Sequence, residues 1–344
     1  MRIISKDDKQ ASWGVPVNIS RDIVSGLADV DRVAYLRYDS EQTGVPYGCA
    51  VDVASLLEGL TVMVRDDELP ALAVDEGAVS SVEALLTAVY WMYRNVYWHH
   101  TNRAFMSAAK LVVRRLLMSQ PQSMSFQDYA DAVYGKTDVE ALHYLHGVYQ
   151  PVADAMNGRN PLSSLVKLRR IGYRRIFSLG ARGQGVLELD EAYKALTQRI
   201  GPDKEDDLVS AITSAFPAGA SVRDGDILVD IPLKPRQQNY TGSRMNDPDP
   251  GEAGVTHGQL WVKGRSLGAR SRIEQTASEF IALEQFSDLV SKLRGWEDVH
   301  GRKIRVYLSR DIWAGLSRHQ AARLPDAVTS AIVDYARSVP PTTQ

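Results

Sequence analysis

In the stretch ADVDRVAYLRYD, residues 28–39, Asp31, Tyr35 and Asp39 recur every fourth position. Read as a helix, this spacing brings two carboxylates and a phenol onto one face. That face is either a wall of a site or a helix start. In the second case Asp29 is the N-cap and Asp31 sits in the first turn, where the helix dipole favours a carboxylate. Tyr90, Tyr93, Tyr97 and His100 form a second pattern, an aromatic stripe at helical spacing that ends in an imidazole beside His99. A stripe of this kind is commonly core. Several hydroxyls on one face nevertheless suit a polar pocket lined by rings, in which a nucleoside packs and His, Arg or Lys meets its phosphate. In LVKLRRIGYRRIF the third pattern gathers Lys167, Arg169, Arg170, Arg174 and Arg175. At helical spacing Arg170 and Arg174 share a face that could grip a phosphate or a nucleic-acid backbone, or simply be solvated.

Other combinations point to less. None of the seven histidines is followed by Asp, and HExxH does not occur. Glu140, His143 and His146 share a helical face and could hold a metal, but Thr137 and Asp138 before them make a helix cap that explains the segment as well. GARGQG, residues 180–185, follows a basic segment rather than a strand, so it is not a dinucleotide loop. The single cysteine, Cys49, excludes an intramolecular disulfide and reads as a small packed residue.

The elements that position these residues come from periodicity. Helical patterns run through RDIVSGLADVDRVAYLRYD, with Ser20 as cap, and through DVASLLEGL. A β-hairpin is expected across residues 61–75. One long helix is predicted from SVEALLTAVYW through VVRRLLM, followed by SFQDYADAVYG, TDVEALHYLHGVY and the basic segment as further helices. Beyond residue 180 strands are expected in GASVRDGDILVDIPLK, GQLWVKG and KIRVYLSR. Helices are expected in ASEFIALEQFSDLVSKLRG and PDAVTSAIVDYARS, and QQNYTGSRMNDPDPGEAGVTHG reads as a loop. The fold class is therefore mainly α: a helical domain over residues 1–180 and an α+β carboxy-terminal domain over residues 181–344. Forty basic and 42 acidic residues give a net charge of −2, so no global field marks a nucleic-acid or membrane partner, although a local nucleic-acid contact stays open. A start without an apolar leader and a lone cysteine lead us to expect a cytoplasmic protein.

In their order, SGLADVDRVAYLRYDSEQTGV, a hairpin, AVYWMYRNVYWHHTNRA, RRIGYRRIF and ILVDIP resemble the HD-domain dNTP triphosphohydrolase-like family of HD-superfamily phosphohydrolases. That family includes the vertebrate dNTPase with SAM and HD domains. The resemblance implies a role for each residue of the D-[KR]-x-x-Y block. Asp31 would close a metal site, Arg32 would meet the triphosphate, Tyr35 would pack the nucleotide and Asp39 would read the sugar hydroxyl. It makes Tyr97 the sugar-packing tyrosine, with Tyr93 beside it, and His99 and His100 the following polar pair. Arg170, Arg174 and Arg175 correspond to a basic helix that helps bind an activating nucleotide between subunits. The implied cofactor is a divalent metal (Mn, Mg or Fe), the implied ligand a deoxynucleoside triphosphate or another nucleotide, and the implied assembly a homo-oligomer.

The pattern also departs from the family. Its other metal ligands, a His and an HD pair, precede the D-[KR]-x-x-Y block, whereas no histidine precedes His99 here. Val89 stands where a phosphate-binding arginine aligns, and His100 where some members have lysine. Metal-dependent dNTP hydrolysis is thus expected only where an HD-containing partner chain or a further N-terminal segment supplies the missing ligands. The alternative is a non-catalytic nucleotide-binding, regulatory or scaffold subunit of the same fold.

Overall fold

The computed structural model describes residues 19–20, 22–24, 26–63, 71–119, 126–168, 170–180, 187–199, 202–231, 260–264, 280–293 and 303–339. Helices α1 (Val30–Thr43) and α2 (Val53–Glu58) lead into strands β1 (Leu60–Met63) and β2 (Ala71–Asp75), then helix α3 (Val79–Met92). A π-helical turn, Tyr93–Tyr97, separates α3 from α4 (His100–Ser119). Next come α5 (Phe126–Val133), α6 (Asp138–Ala155), α7 (Ser163–Leu168), β3 (Tyr173–Gly180), α8 (Leu187–Arg199), α9 (Pro202–Ser214) and β4 (Ile227–Asp230). The chain continues with β5 (Trp261–Lys263), β6 (Phe280–Ala282), α10 (Leu283–Phe286), β7 (Lys303–Ser309), α11 (Arg310–Gly315) and α12 (Arg318–Ser338). The protein is mainly α with an α+β portion.

Two compact units divide the chain, residues 1–96 with 235–297 and residues 97–234 with 298–344. Each is discontinuous in sequence. Residue 180 closes β3 inside the second unit, because β3 pairs with β7 from the far end of the chain.

In the first unit β1 and β2 form the expected antiparallel hairpin, from Leu60 opposite Val74 to Met63 opposite Ala71. β5 joins β2 in parallel and β6 closes the sheet antiparallel to β5. Met63, Ala71 and Ala73 pack beneath it against Trp261 and Phe280. α3 buries Val82, Leu85, Leu86, Val89 and Met92, and the hydroxyl of Ser40 on α1 donates to the Met92 sulfur at 3.5 Å.

In the second unit the antiparallel sheet β3-β7-β4 is covered on both faces. Strand alternation sorts the side chains. Ile304, Val306, Leu308, Ile227 and Val229 face the core built with α8, α9 and α12. Tyr307, Leu228 and Tyr173 face the core built with α4 and α6.

Four expectations need correction. The long helix is interrupted at Tyr93–Tyr97 and restarts at His100; its apolar period runs on across the break, so periodicity cannot reveal it. The basic segment is not one helix, since α7 ends at Leu168 and Tyr173 opens a strand. A bulge between Arg175 and Phe177 spaces the buried Tyr173, Ile176 and Leu179 three apart, which imitates a helical pattern. ASEFIALEQF contributes β6, whose Phe280–Ala282 pairs with β5, before the short α10 begins. The pattern starting at Ser20 breaks at residues 26–29, and α1 begins afresh with Asp29 as its cap. GARGQG beyond Gly180 and the polar loop after residue 231 lie outside the described residues.

Candidate functional site

Within the first unit, α1 resolves the choice posed by Asp29 and Asp31. Asp29 caps the helix, its carboxylate accepting from the Arg32 amide at 2.6 Å. With the start fixed at Val30, Leu36 and Ser40 turn inward and Asp31, Tyr35 and Asp39 fall on another face. Asp31 is exposed, whereas Tyr35 and Asp39 are half-buried. The Arg32 guanidinium donates to the Leu27 carbonyl at 3.0 Å and lies 3.9 Å from Asp29, so its charge is balanced by the cap. Burial pushes the Tyr35 hydroxyl up to about 12; Arg32 opposes the shift, and Tyr93, Asp29 and Asp31 add to it. Tyr35 is therefore a neutral phenol at physiological pH, and Tyr93 is its neighbour. Close by, Tyr47 stacks on Trp91 at 6.0 Å, Arg94 lies 5.3 Å over Trp91 and donates to the Tyr90 hydroxyl at 3.0 Å, and Asn95 donates to the Tyr47 hydroxyl at 3.1 Å.

The π-turn corrects the aromatic stripe. Tyr90 and Tyr93 belong to the first unit, Tyr97 and His100 to the second, and they do not share one continuous helical face. In the second unit Tyr97 is half-buried and His99 exposed. The His99 and His100 rings lie 4.2 Å apart, and the His99 Nδ1 accepts from the Thr101 amide at 3.4 Å. Burial lowers the His100 pKa, and His99, Arg175 and Arg305 lower it further.

The three arginines go separate ways. Arg170 is exposed in a bend after α7. Arg174 and Arg175 are both exposed on β3. Arg174 lies 4.2 Å over the Trp313 ring, whereas Arg175 pairs across from Tyr307 and faces His100. Arg170 and Arg174 thus share no helical face, because β3 is extended there.

Sequence reasoning missed Arg103, Asp230, Arg305 and Tyr307, which form a polar group on the sheet face that α4 covers. Arg103 donates twice to Asp230, through Nε at 2.9 Å and through Nη2. Arg305 donates to Asp230 at 3.2 Å and to the Trp98 carbonyl at 3.0 Å, which ties β7 to the residue just before His99. The available signal was a lone charge inside each of two apolar strands, Asp230 in ILVDI and Arg305 in KIRVYL.

Glu140 is engaged in a capping box with Thr137, and His146 bonds the Ser163 hydroxyl at 3.1 Å, so this helical face does not assemble as a metal set. Cys49 is exposed rather than packed. Among the described residues no three His, Cys, Asp or Glu side chains are grouped to hold a metal. Asp31 therefore lacks co-ligands among them and does not by itself fit a metal centre. Among the described residues no helix is long and apolar enough to cross a membrane.

Residues 51–160 match the HD associated region, from just before α2 to the end of α6, so the chain is HD-superfamily-like. An uncharacterized protein of Methanocaldococcus jannaschii is 27% identical over 151 residues, which cover 43% of this chain and 31% of that relative. A hypothetical protein from Aquifex aeolicus, of known crystal structure, aligns at 17% identity and a TM-score of 0.43, over 88% of this chain and 59% of its own. A phosphohydrolase from Bacteroides thetaiotaomicron aligns at 18% identity and the same TM-score of 0.43, over 84% and 63%. The chain spans less than two thirds of each of these proteins.

Proposed function

We propose that this chain is an HD-superfamily phosphohydrolase-like protein acting on deoxynucleoside triphosphates, with α1 as one wall of the nucleotide site. The observation that carries this reading is the shared face of Asp31, Tyr35 and Asp39, just ahead of the HD associated region, with Tyr93 beside Tyr35. In this reading Asp39 accepts from a sugar hydroxyl, and the neutral Tyr35 phenol packs the nucleoside together with Tyr93 and Tyr97. Arg32 leaves the Leu27 carbonyl to meet phosphate, and His99 and His100 are the polar pair after the sugar-packing tyrosine. Asp31 is one ligand of a divalent metal whose remaining ligands come from an HD-containing partner chain or a further segment. The working form is then a cytoplasmic homo-oligomer or a two-chain complex.

Chromatography of a dNTP panel incubated with Mn²⁺, for the chain alone and with an HD-containing partner, tests the proposal. Triphosphate release that Asp31→Ala abolishes is the expected result; release unchanged by that substitution rejects it. One observation favours the second reading, a non-catalytic nucleotide-binding or regulatory subunit. Val89, aligned with a phosphate-binding arginine, is 1% exposed in the core of α3, so that position offers no cation to a ligand. That reading expects binding heat with dGTP and no turnover under any metal.

A further inference from the structure

We infer that the face of the β3-β7-β4 sheet beneath the start of α4 is an oxyanion site, built by Arg175, Arg305, Tyr307, Arg103 and His100 to take a phosphate group. The inference lies wholly within the second unit and does not rest on the hydrolase reading.

Charge is the first argument. Three guanidiniums converge on this face and a single carboxylate, Asp230, answers them. Asp230 is 3% exposed and already accepts from both Arg103 and Arg305. Arg175 has no carboxylate partner among the described residues, and it stands on the edge strand β3, open to solvent.

Donor chemistry is the second. The Nε of Arg305 and the hydroxyl of Tyr307 are buried with no hydrogen-bond partner among the described residues, and the two residues are 5% and 1% exposed. Buried polar groups are nearly always satisfied, so two orphans on one strand face need an explanation. Both can donate. Burial raises the Tyr307 pKa and Asp230 raises it further, with Arg305, Arg103 and Arg175 opposing, so the phenol keeps its proton. Arginine has donors only. A partner that suits the whole set must offer acceptors and negative charge, and a phosphate oxygen does both.

The helix supplies the third. His100 opens the twenty-residue α4, whose amino-terminal dipole adds positive potential at this place. His99, Arg175 and Arg305 depress its imidazole from beside it and from the sheet, with Arg103, Asp230 and Tyr307 completing the surroundings. A bound anion reverses that field, and His100 then takes a proton more readily.

The test is calorimetric titration of the full chain with orthophosphate, tripolyphosphate and dGTP, beside the variants R175A and R174A. Binding is expected, and R175A should weaken it by about tenfold or more. R174A, whose guanidinium stacks on Trp313 instead, should leave it unchanged. In proton NMR the His100 titration midpoint should rise by about one pH unit with saturating ligand. Equal affinity for all three ligands identifies a site for a single phosphate. Tighter binding of tripolyphosphate and dGTP, by a factor of about ten, identifies the phosphate tail of a nucleotide. No binding at about 10 mM ligand, binding indifferent to R175A, or an unmoved His100 midpoint overturns the inference. Because D31A leaves this face intact, binding by D31A that persists without hydrolysis separates failure of the hydrolase reading from failure of this one.

Discussion

Replacing Asp230 with asparagine tests whether a buried charge group holds the second unit together. The carboxylate accepts from Arg103 Nε at 2.9 Å and from Arg305 Nη1 at 3.2 Å, and the Arg305 side chain is 6% exposed against 22% for Arg103. Asparagine keeps the shape and one acceptor oxygen. It removes the charge and turns an amide N–H₂ toward a guanidinium, leaving two cations close together with no counter-charge. Removing one partner of a buried pair costs about 3–5 kcal/mol. The lower end applies here, because Arg103 reaches water and one acceptor survives, so we expect a loss of about 3 kcal/mol. With a denaturant slope of about 3 kcal/mol per molar, the urea midpoint of the second unit falls by about 1 M in a circular-dichroism melt. The double variant D230L/R305M should recover most of the loss, since apolar replacement of a whole buried pair is close to neutral. A loss below about 1 kcal/mol for D230N refutes the reasoning, as does a double variant less stable than the single one.

Two further predictions concern packing and pH. A Cβ at Gly48 would lie 2.1 Å from the Leu36 carbonyl oxygen and 2.6 Å from the Ser40 hydroxyl, which itself accepts from the Gly48 amide at 2.7 Å. Gly48→Ala should therefore destabilise the first unit by about 2 kcal/mol or more, read as a lower thermal midpoint. Burial lowers the pKa of both His100 and His146 from 6.5, His99, Arg175 and Arg305 adding to the shift at the first and Lys167 and His143 at the second. Below pH 6.5 the unfolded chain then binds protons that the folded chain refuses, so stability present above 6.5 is lost as pH falls through the depressed values. Urea midpoints at pH 8 and pH 5 should diverge, and H100Q and H146Q should each shrink the difference.

Local patterns that obey one period were legible. The hairpin alternates, α1 carries Asp29 as a capping residue, and α6 carries the Thr137–Glu140 capping box. Two features hid behind patterns they imitate. The π-turn at Tyr93–Tyr97 inserts its extra residue without interrupting the apolar run, and so moves Tyr97 and His100 away from the face of Tyr90. The bulge in β3 gives a strand the three-residue spacing of a helix, which turned a basic strand into an apparent basic helix. The polar group on the second sheet was not legible at all. Asp230 and Arg305 are 75 residues apart, and only the pairing of β4 with β7 sets them side by side.

The helix start and the site wall in α1 are one device. Asp29 fixes the first residue of the helix, and that phase decides which face Asp31, Tyr35 and Asp39 share. The same carboxylate lies 3.9 Å from the Arg32 guanidinium, which the Leu27 carbonyl holds at 3.0 Å. Arg32 can reach a phosphate only by leaving that carbonyl, and Asp29 opposes the move. Asp29→Ala removes both the cap and the charge and should cost about 1 kcal/mol of stability. Asp29→Ser keeps a capping oxygen and removes only the charge, so its stability should stay within a few tenths of a kcal/mol of the parent. If Arg32 works on phosphate, D29S should bind dGTP more tightly than the parent chain and R32A more weakly. Equal dGTP affinity in D29S, R32A and the parent would reduce Arg32 to a capping residue, and α1 would then lose its phosphate contact from the proposed site.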